Sequence, residues 1–159
     1  MNVCLMSIKP KWAKELYRGK KTVEFRKNSP PVGSLVFMYE CAPVQRVTGA
    51  FVVEAILTGP AYRVWHQCAV NKDWKPGSVR RDLFFDYAGS AQKTCCAILV
   101  MTPWLFSPVE SVMLEKFAVL PPRSWQRLRA NEPRENTLAQ SLICQLQQMI
   151  RKGIHHDQA

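Results

Sequence analysis

The sequence predicts an α+β protein in which short helices are interspersed with strands. A helical pattern from Pro10 to Arg18 is followed directly by a segment of period two, Thr22–Arg26. A β-rich run, Val47–Leu57, precedes two further helical patterns that begin at Pro60 and Ser78. Because neither type of element dominates the chain, the mixed class is favoured over an all-α or an all-β fold.

The N-terminal elements are predicted to be a strand and a short amphipathic helix. The apolar run Asn2–Met6 indicates the strand. Pro10 suits a first helical position, where its missing N–H costs nothing, and Gly19 supplies a C-terminal stop. Trp12 and Leu16 share one face of this helix, so we expect both in the core.

The segment after this helix carries a row of charges on a strand. Val23 and Phe25 point to one side, while Thr22, Glu24 and Arg26 point to the other. A surface strand with weakly paired charges is one interpretation of this row. The wall of a binding cleft is the other, and the strand pattern alone leaves both open.

The middle of the chain continues with strands. The segment 28–33, NSPPVG, has the composition of a turn, and Ser34–Glu40 alternates as a strand. Within Val47–Leu57, Gly49 marks a bulge or a bend. We therefore expect this run to be one strand that curls around a corner.

The second half alternates helices with extended pieces. A loop, 71–77, separates the two helices that begin at Pro60 and Ser78, and Thr94–Met101 returns to strand. Ser107 and Glu110 have the spacing of a capping box, which predicts a short helix through about residue 116. Extended chain is expected over 121–128. Thr137–Lys152 has a helical apolar stripe, with Gly153 as its stop.

Charge favours an anionic partner. The net charge is +10, and the first thirty residues hold eight Lys or Arg against two Glu. Nucleic acid is the first candidate for such a patch and a membrane surface the second. No apolar run is long enough for a membrane span, no secretory signal is visible, and the six cysteines lack the spacing of a disulfide framework. We expect a reduced cytoplasmic protein without a metal or nucleotide cofactor.

The opening stretch resembles that of the ASCH domain family, in the PUA-like superfamily. In that family an SIKP strand end precedes a helix, a glycine and a K-[KT]-x-E-x-R strand. The similarity continues in order along the chain and covers about residues 2–128. The matching positions are Ser7, Lys9, Pro10, Gly19, Lys21, Thr22, Glu24 and Arg26, then 39–40, 44–49, 84–89, 97–100 and 121–125.

This resemblance implies a small, mainly antiparallel β-barrel of PUA-like type, decorated with short helices. The barrel domain is expected over residues 1–130, and residues 131–159 are expected to form a C-terminal helical extension. Some family members are amidohydrolases of acylated cytidine that use a lysine, a threonine three residues later and a distant glutamate. Lys21 matches the lysine, but Glu24 stands in place of the threonine, and Asp73 is the only acidic residue in the region of the distant glutamate.

The leading functional hypothesis is a module that binds RNA or a modified nucleotide. A cleft beside a basic patch suits an unpaired base better than duplex DNA. The candidate binding residues are Lys9, Lys20, Arg26, Lys27, Tyr39 and Trp65, with core packing as the alternative for either ring.

Two other functions remain open. Lys21 and Glu24 are candidate catalytic residues of a hydrolase that acts on a modified nucleoside (an amide) or on RNA (a phosphodiester). In that hypothesis Lys21 is a nucleophile or base, or is held protonated by Glu24 as an anchor for phosphate or carbonyl. The third function is a regulatory interaction in which the stripe of residues 137–152 contacts a partner or a second copy of the chain.

Overall fold

The computed structural model describes residues 1–100 and 102–152, which form eight strands in two sheets and four α-helices. The strands are β1 (Val3–Ile8), β2 (Val23–Arg26), β3 (Leu35–Glu40), β4 (Arg46–Val52), β5 (Ala55–Pro60), β6 (Thr94–Leu99), β7 (Trp104–Leu105) and β8 (Trp125–Arg127). The helices are α1 (Pro10–Tyr17), α2 (Ala61–Val70), α3 (Arg81–Ala88) and α4 (Pro133–Arg151), with a 3₁₀ turn at Leu114–Phe117. The predicted α+β class is confirmed.

The two sheets have different topologies. The five-stranded sheet has the order β7-β4-β3-β1-β8, with β1 parallel to β3 and its other pairs antiparallel, whereas the three-stranded sheet β2-β6-β5 is wholly antiparallel. The expected single strand over 47–57 is wrong, because the chain leaves the first sheet after Val52 and enters the second at Ala55. The two described sheets do not close into a barrel, so the expected β-barrel is not confirmed.

Helix α1 and the strand after it follow the predicted pattern closely. Pro10 is at the first turn, Gly19 adopts a φ of +68°, and Ala13 and Leu16 are buried. A left-handed φ is the reason a glycine stands at this position, because a Cβ would be strained there. Lys21 N donates to Glu15 O at 3.1 Å, which turns the chain from the helix into β2.

Helix α4 covers the five-stranded sheet. Its inward residues Leu138, Leu142 and Leu146 belong to the same buried cluster as Leu5 of β1 and Phe37 of β3. The apolar stripe therefore packs on the chain's own sheet. The domain boundary expected near residue 130 stays a prediction. Gly153, the expected stop of this helix, lies outside the described residues.

Two predicted helices begin later than expected. Ser107 Oγ donates to Glu110 Oε2 at 3.0 Å, and the Glu110 amide donates to Ser107 O at 2.9 Å. These bonds close a turn and are not those of the expected capping box, in which each side chain bonds the backbone N–H of the other residue. Val112 then pairs with Val47 as a β-bridge, and this extended pairing prevents a helix there. Helix α3 begins at Arg81 instead of Ser78, because the carboxylate of Glu15 accepts bonds from the Ser78 amide and hydroxyl.

Candidate functional site

A cleft of about 460 Å³ opens where β2, the end of β1 and helix α3 meet. Its floor is the charged row of β2 together with Lys21, its wall is the apolar face of α3, and its rim carries Lys9 and Arg123. Residues from both sheets therefore contribute to one concave surface.

The floor is a buried chain of three charged side chains. Lys21 Nζ lies 2.5 Å from Glu24 Oε2, and Arg26 Nη2 lies 2.9 Å from Glu24 Oε1. Lys21 is only 1% exposed, although an ammonium group is costly to bury without a partner. The carboxylate is thus shared by two cations, which leaves the three-residue floor with one net positive charge.

Arg26 also ties the floor to the other sheet. Its Nη2 donates to Ser7 O of β1 at 2.7 Å, and its Nη1 lies 3.5 Å from Ser124 Oγ. Ser7 in turn donates from Oγ to Pro122 O at 2.6 Å, which holds the 121–125 segment against β1. Among the described residues, Arg26 Nε is buried without a hydrogen-bond partner.

The environment keeps Glu24 ionised. Burial would raise its pKa, but the charges of Lys21 and Arg26, together with the hydrogen bonds they donate, lower the pKa below its ordinary value. An ionised carboxylate between two cations is an acceptor and a weak base. The remaining N–H groups of Lys21 then form the donor surface of the floor.

The wall opposite the charged floor is apolar and aromatic. Leu83 and Tyr87, one turn apart on α3, line the cleft while remaining 51% and 43% exposed. Trp12 lines it from α1, with Lys21 Nζ 5.9 Å from the ring centroid. Burial raises the pKa of Tyr87, so its hydroxyl stays protonated at neutral pH. An apolar wall over a polar floor is the arrangement that accommodates a flat heteroaromatic group.

The 71–79 loop supports Lys21 from behind. Thr22 N donates to Lys75 O at 2.9 Å, and Lys75 N donates to Thr22 Oγ1 at 2.8 Å. Gly77 adopts a φ of +65°, and a Cβ there would lie 2.9 Å from Lys21 Cβ. The loop thus packs on the aliphatic stem of Lys21 and leaves no room for a side chain at residue 77.

The structure brings some of the predicted site residues together. Lys9, Lys21, Glu24 and Arg26 all line the cleft. Lys27 stands at its edge, with Nζ 5.8 Å from the centroid of the Tyr87 ring.

Other predicted binding residues lie elsewhere. Lys20 is exposed and lines a neighbouring groove. Tyr39 is buried in the cluster under α4, and Trp65 packs against Phe25 and Phe84 behind the cleft wall. Both rings are therefore packed in the core, which was the alternative to nucleotide binding.

Sequence reasoning missed several residues of the cleft. Trp12 was expected only in the core, yet its half-buried ring contributes to the cleft as well. Ser7 and Ser124 were recognised only as matched positions, not as a bridge joined through Arg26. Leu83 and Tyr87 stand four residues apart in a helical pattern, which in the sequence is equally typical of a core face. Their exposure, seen only in the structure, is what indicates a contact surface.

The cysteines of the described region are all free, and four of them (4, 68, 95 and 96) are buried. Burial raises the pKa of each of these four, to about 11 for Cys96, so their thiols are poor nucleophiles. Within 1–100 and 102–152, no group of three or more His, Cys, Asp or Glu is placed to hold a metal ion. No helix in this part of the chain is long and apolar enough to cross a membrane.

Comparison with known proteins gives matches along most of the chain. The model of the ASCH domain family matches residues 6–104. A curated protein of Zymomonas mobilis, described as an ASCH domain-containing ribonuclease, is 26% identical over 135 residues, which are 80% of this chain and 85% of that protein.

Solved structures of the Zymomonas mobilis ASCH protein have the same fold. A serine-to-alanine variant superposes with a TM-score of 0.68 at 24% identity, covering 88% of this chain and 95% of its own. The unsubstituted protein gives a TM-score of 0.64 at 24% identity, with 86% and 94% covered. At this identity the likeness concerns the fold alone.

Proposed function

Because this chain belongs to the ASCH domain family, we propose that its cleft binds an unpaired nucleotide of an RNA strand, or a modified nucleotide. The observation that carries the proposal is the pairing of a charged floor, Lys21–Glu24–Arg26, with an exposed apolar wall at Leu83 and Tyr87. Such a pocket has a place for the face of a base and donors for its edge.

The base would lie between the α3 wall and the ring of Trp12. Nucleobases carry ring carbonyls and nitrogens that accept hydrogen bonds, which suits the N–H groups of Lys21. Lys9 and Arg123 at the rim are placed for the flanking phosphates. Binding would therefore combine stacking with a salt-sensitive phosphate term.

Two further facts support RNA as the ligand. The chain carries a net charge of +10, with the surplus concentrated in the first thirty residues that supply much of the cleft. The relative from Zymomonas mobilis is described as a ribonuclease, and this protein is 26% identical to it.

Fluorescence anisotropy with a short single-stranded RNA and with a duplex DNA of the same sequence tests the proposal. We expect the single strand to bind more tightly and its affinity to fall as salt rises. Tyr87→Ala should weaken binding by about 1–3 kcal/mol, the usual contribution of one stacked base. Tyr62→Ala is the matched control, since Tyr62 is similarly exposed (48%) but lies on α2 outside the cleft. Equal losses in both variants, or no binding at low salt, would contradict the proposal.

Hydrolysis is a second candidate function, and a specific observation favours it. Lys21 Nζ is fixed in the floor at 2.5 Å from Glu24, so its charge has a defined position. An ammonium group held in this way can stabilise the negative charge that develops on a phosphodiester or an amide carbonyl during attack. The description of the relative as a ribonuclease makes the phosphodiester the first substrate to examine.

The two functions are separated by incubating the protein with single-stranded RNA and with acylated cytidine, with and without a chelator. In a hydrolase, Lys21→Met abolishes turnover while nucleotide affinity changes little, because the lost interaction belongs to the transition state. Lys14→Met, an exposed lysine of α1, is the control. Intact substrates with wild-type protein leave binding as the sole function of the cleft.

A further inference from the structure

We infer that a second, shallow groove behind the cleft binds the phosphates of the same RNA strand, so that the strand passes from the cleft over Lys20 to the 71–78 loop. This inference rests on the proposed function of the cleft. The groove has a volume of about 700 Å³, and its basic residues are Lys20, Lys72 and Lys75. We call it the lysine groove.

The lysine groove and the cleft lie on two sides of the same piece of chain, residues 20–21. Lys20 lines the groove and Lys21 lines the cleft, and adjacent residues of a trans chain have Cα atoms only about 3.8 Å apart. Gly77 of the groove packs against the stem of Lys21, whose ammonium group lies in the cleft. The groove and the cleft are therefore separated by the thickness of one piece of chain, which an RNA strand leaving the cleft would have to cross at residues 20–21.

The charges of the groove suit a polyanion. It has three exposed lysines and one carboxylate, Glu15, which gives a net charge of +2. Both oxygens of Glu15 already accept bonds from Ser78, so this carboxylate is turned to the loop and serves to hold it. Trp74 forms part of the groove lining.

A single strand fits this arrangement better than the other polyanions. A duplex has a rigid backbone and would not bend over the ridge at residues 20–21 into two separate depressions. An acidic peptide would use the lysines equally well but has no group that requires the base-sized cleft next to them. Length dependence of RNA binding is therefore the property that the groove predicts.

The test compares a dinucleotide with a single strand of about 12 nucleotides, a length within the range of known single-strand sites. Both are made with 2′-O-methyl ribose, because this removes the 2′-hydroxyl and prevents strand cleavage during the measurement. The variant is Lys20→Gln/Lys72→Gln/Lys75→Gln. The control is Lys93→Gln/Lys116→Gln/Lys152→Gln, which changes three exposed lysines that line neither pocket.

We expect wild-type protein to bind the longer strand more tightly than the dinucleotide. The groove variant should lose this advantage and keep its dinucleotide affinity. Three lost phosphate contacts should reduce the slope of log K against log salt by about 2 for the longer strand, since each contributes about 0.7 on single strands. The control variant should keep most of the slope.

The outcomes distinguish the groove from the cleft. The inference about the lysine groove is wrong if the dinucleotide binds as tightly as the longer strand, or if the groove and control variants lose equal affinity for the longer strand. In either case the cleft proposal stands. If wild-type protein binds neither ligand at low salt, both are wrong. A thermal melt of each variant confirms that all the proteins compared are folded.

Discussion

Replacing Glu24 by Gln should destabilise the protein far more than the loss of one surface ion pair. The carboxylate holds Lys21 at 2.5 Å and Arg26 at 2.9 Å in a site where all three side chains are at most 10% exposed. An amide keeps the shape but leaves two buried cations without a counter-charge. Breaking a buried pair in this way costs about 3–5 kcal/mol, which is a large part of the 5–15 kcal/mol that typically separates folded from unfolded states.

The pH dependence of this effect has a definite sign. The pKa of Glu24 is lowered on folding, so its contribution is complete above the unfolded value of about 4.5 and is lost as the pH falls through the lower folded value. The stability difference between wild type and Glu24→Gln should therefore be largest near neutral pH. It should shrink as the pH falls below about 4.5, because the carboxylate then takes up a proton in the unfolded chain, and it should vanish once the pH is below the lower folded pKa.

Urea denaturation at a series of pH values measures both effects. Asp82→Asn is the control, because Asp82 pairs with Arg80 on the surface and is 57% exposed. The double variant Lys21→Met/Glu24→Gln should be less destabilised than the two single changes added together, since it removes the partners jointly. The reasoning is refuted if Glu24→Gln costs less than about 1 kcal/mol, the usual limit for an exposed pair.

Three further predictions concern the support of the site and the fold. Gly77→Ala should lower the free energy of unfolding and speed hydrogen exchange at Thr22, because the new Cβ would lie 2.9 Å from Lys21 Cβ at a φ of +65°. Gly59→Ala is the control, since it has open space and an ordinary φ and should have neither effect. Equal effects of the two changes would contradict the packing described. Truncation after Asn131 should abolish cooperative thermal unfolding, because it removes Leu138, Leu142, Leu146 and Met149 from the core, at about 1.5–3 kcal/mol each, and exposes the face of the sheet that they cover. A cooperative melt in the truncated chain would instead support a domain boundary near residue 130. A thiol reagent should modify Cys41 and Cys144 in the native protein, whereas the four buried cysteines should react only after unfolding. Bound RNA should slow the reaction of Cys41, because this residue lines the cleft. Mass spectrometry of the labelled peptides measures both effects.

Local patterns were sufficient to predict the elements around the cleft. The helix of α1 and its glycine stop follow from period and backbone freedom, and the two faces of β2 follow from strict alternation at Val23–Arg26. Lys21, Glu24 and Arg26 were identified as a group because they stand on one short segment. Their burial was not predictable from that segment, since it depends on α3 and on the loop that packs behind Lys21.

Contacts between distant parts of the chain account for what the sequence did not predict. Ser124 reaches Arg26 across 98 residues, and no local pattern connects two such positions. The division of residues 47–57 between two sheets depends on which partner strand each half finds, and Gly49 alone gave no sign of it. Tyr39 and Trp65 are aromatic residues of a kind that serves equally as core or as platform, so their burial is decided by the tertiary packing.

The bonds of Arg26 add a polar link between two sheets that already share a buried apolar cluster, which includes Met6 and Val36 of the large sheet and Ile98 of the small one. Arg26 joins β2 of the small sheet to Ser7 of the large one, and Trp125 Nε1 of β8 donates at 2.9 Å to Asn28 Oδ1, just after β2. We call this boundary between the two sheets the seam. The cleft lies on this seam and has residues of both sheets in its lining. A ligand bound across the seam would add bonds between the two sheets in the folded state alone, so it should raise the midpoint of unfolding. The midpoint of a calorimetric melt thus becomes a measure of occupancy that requires no label on the ligand.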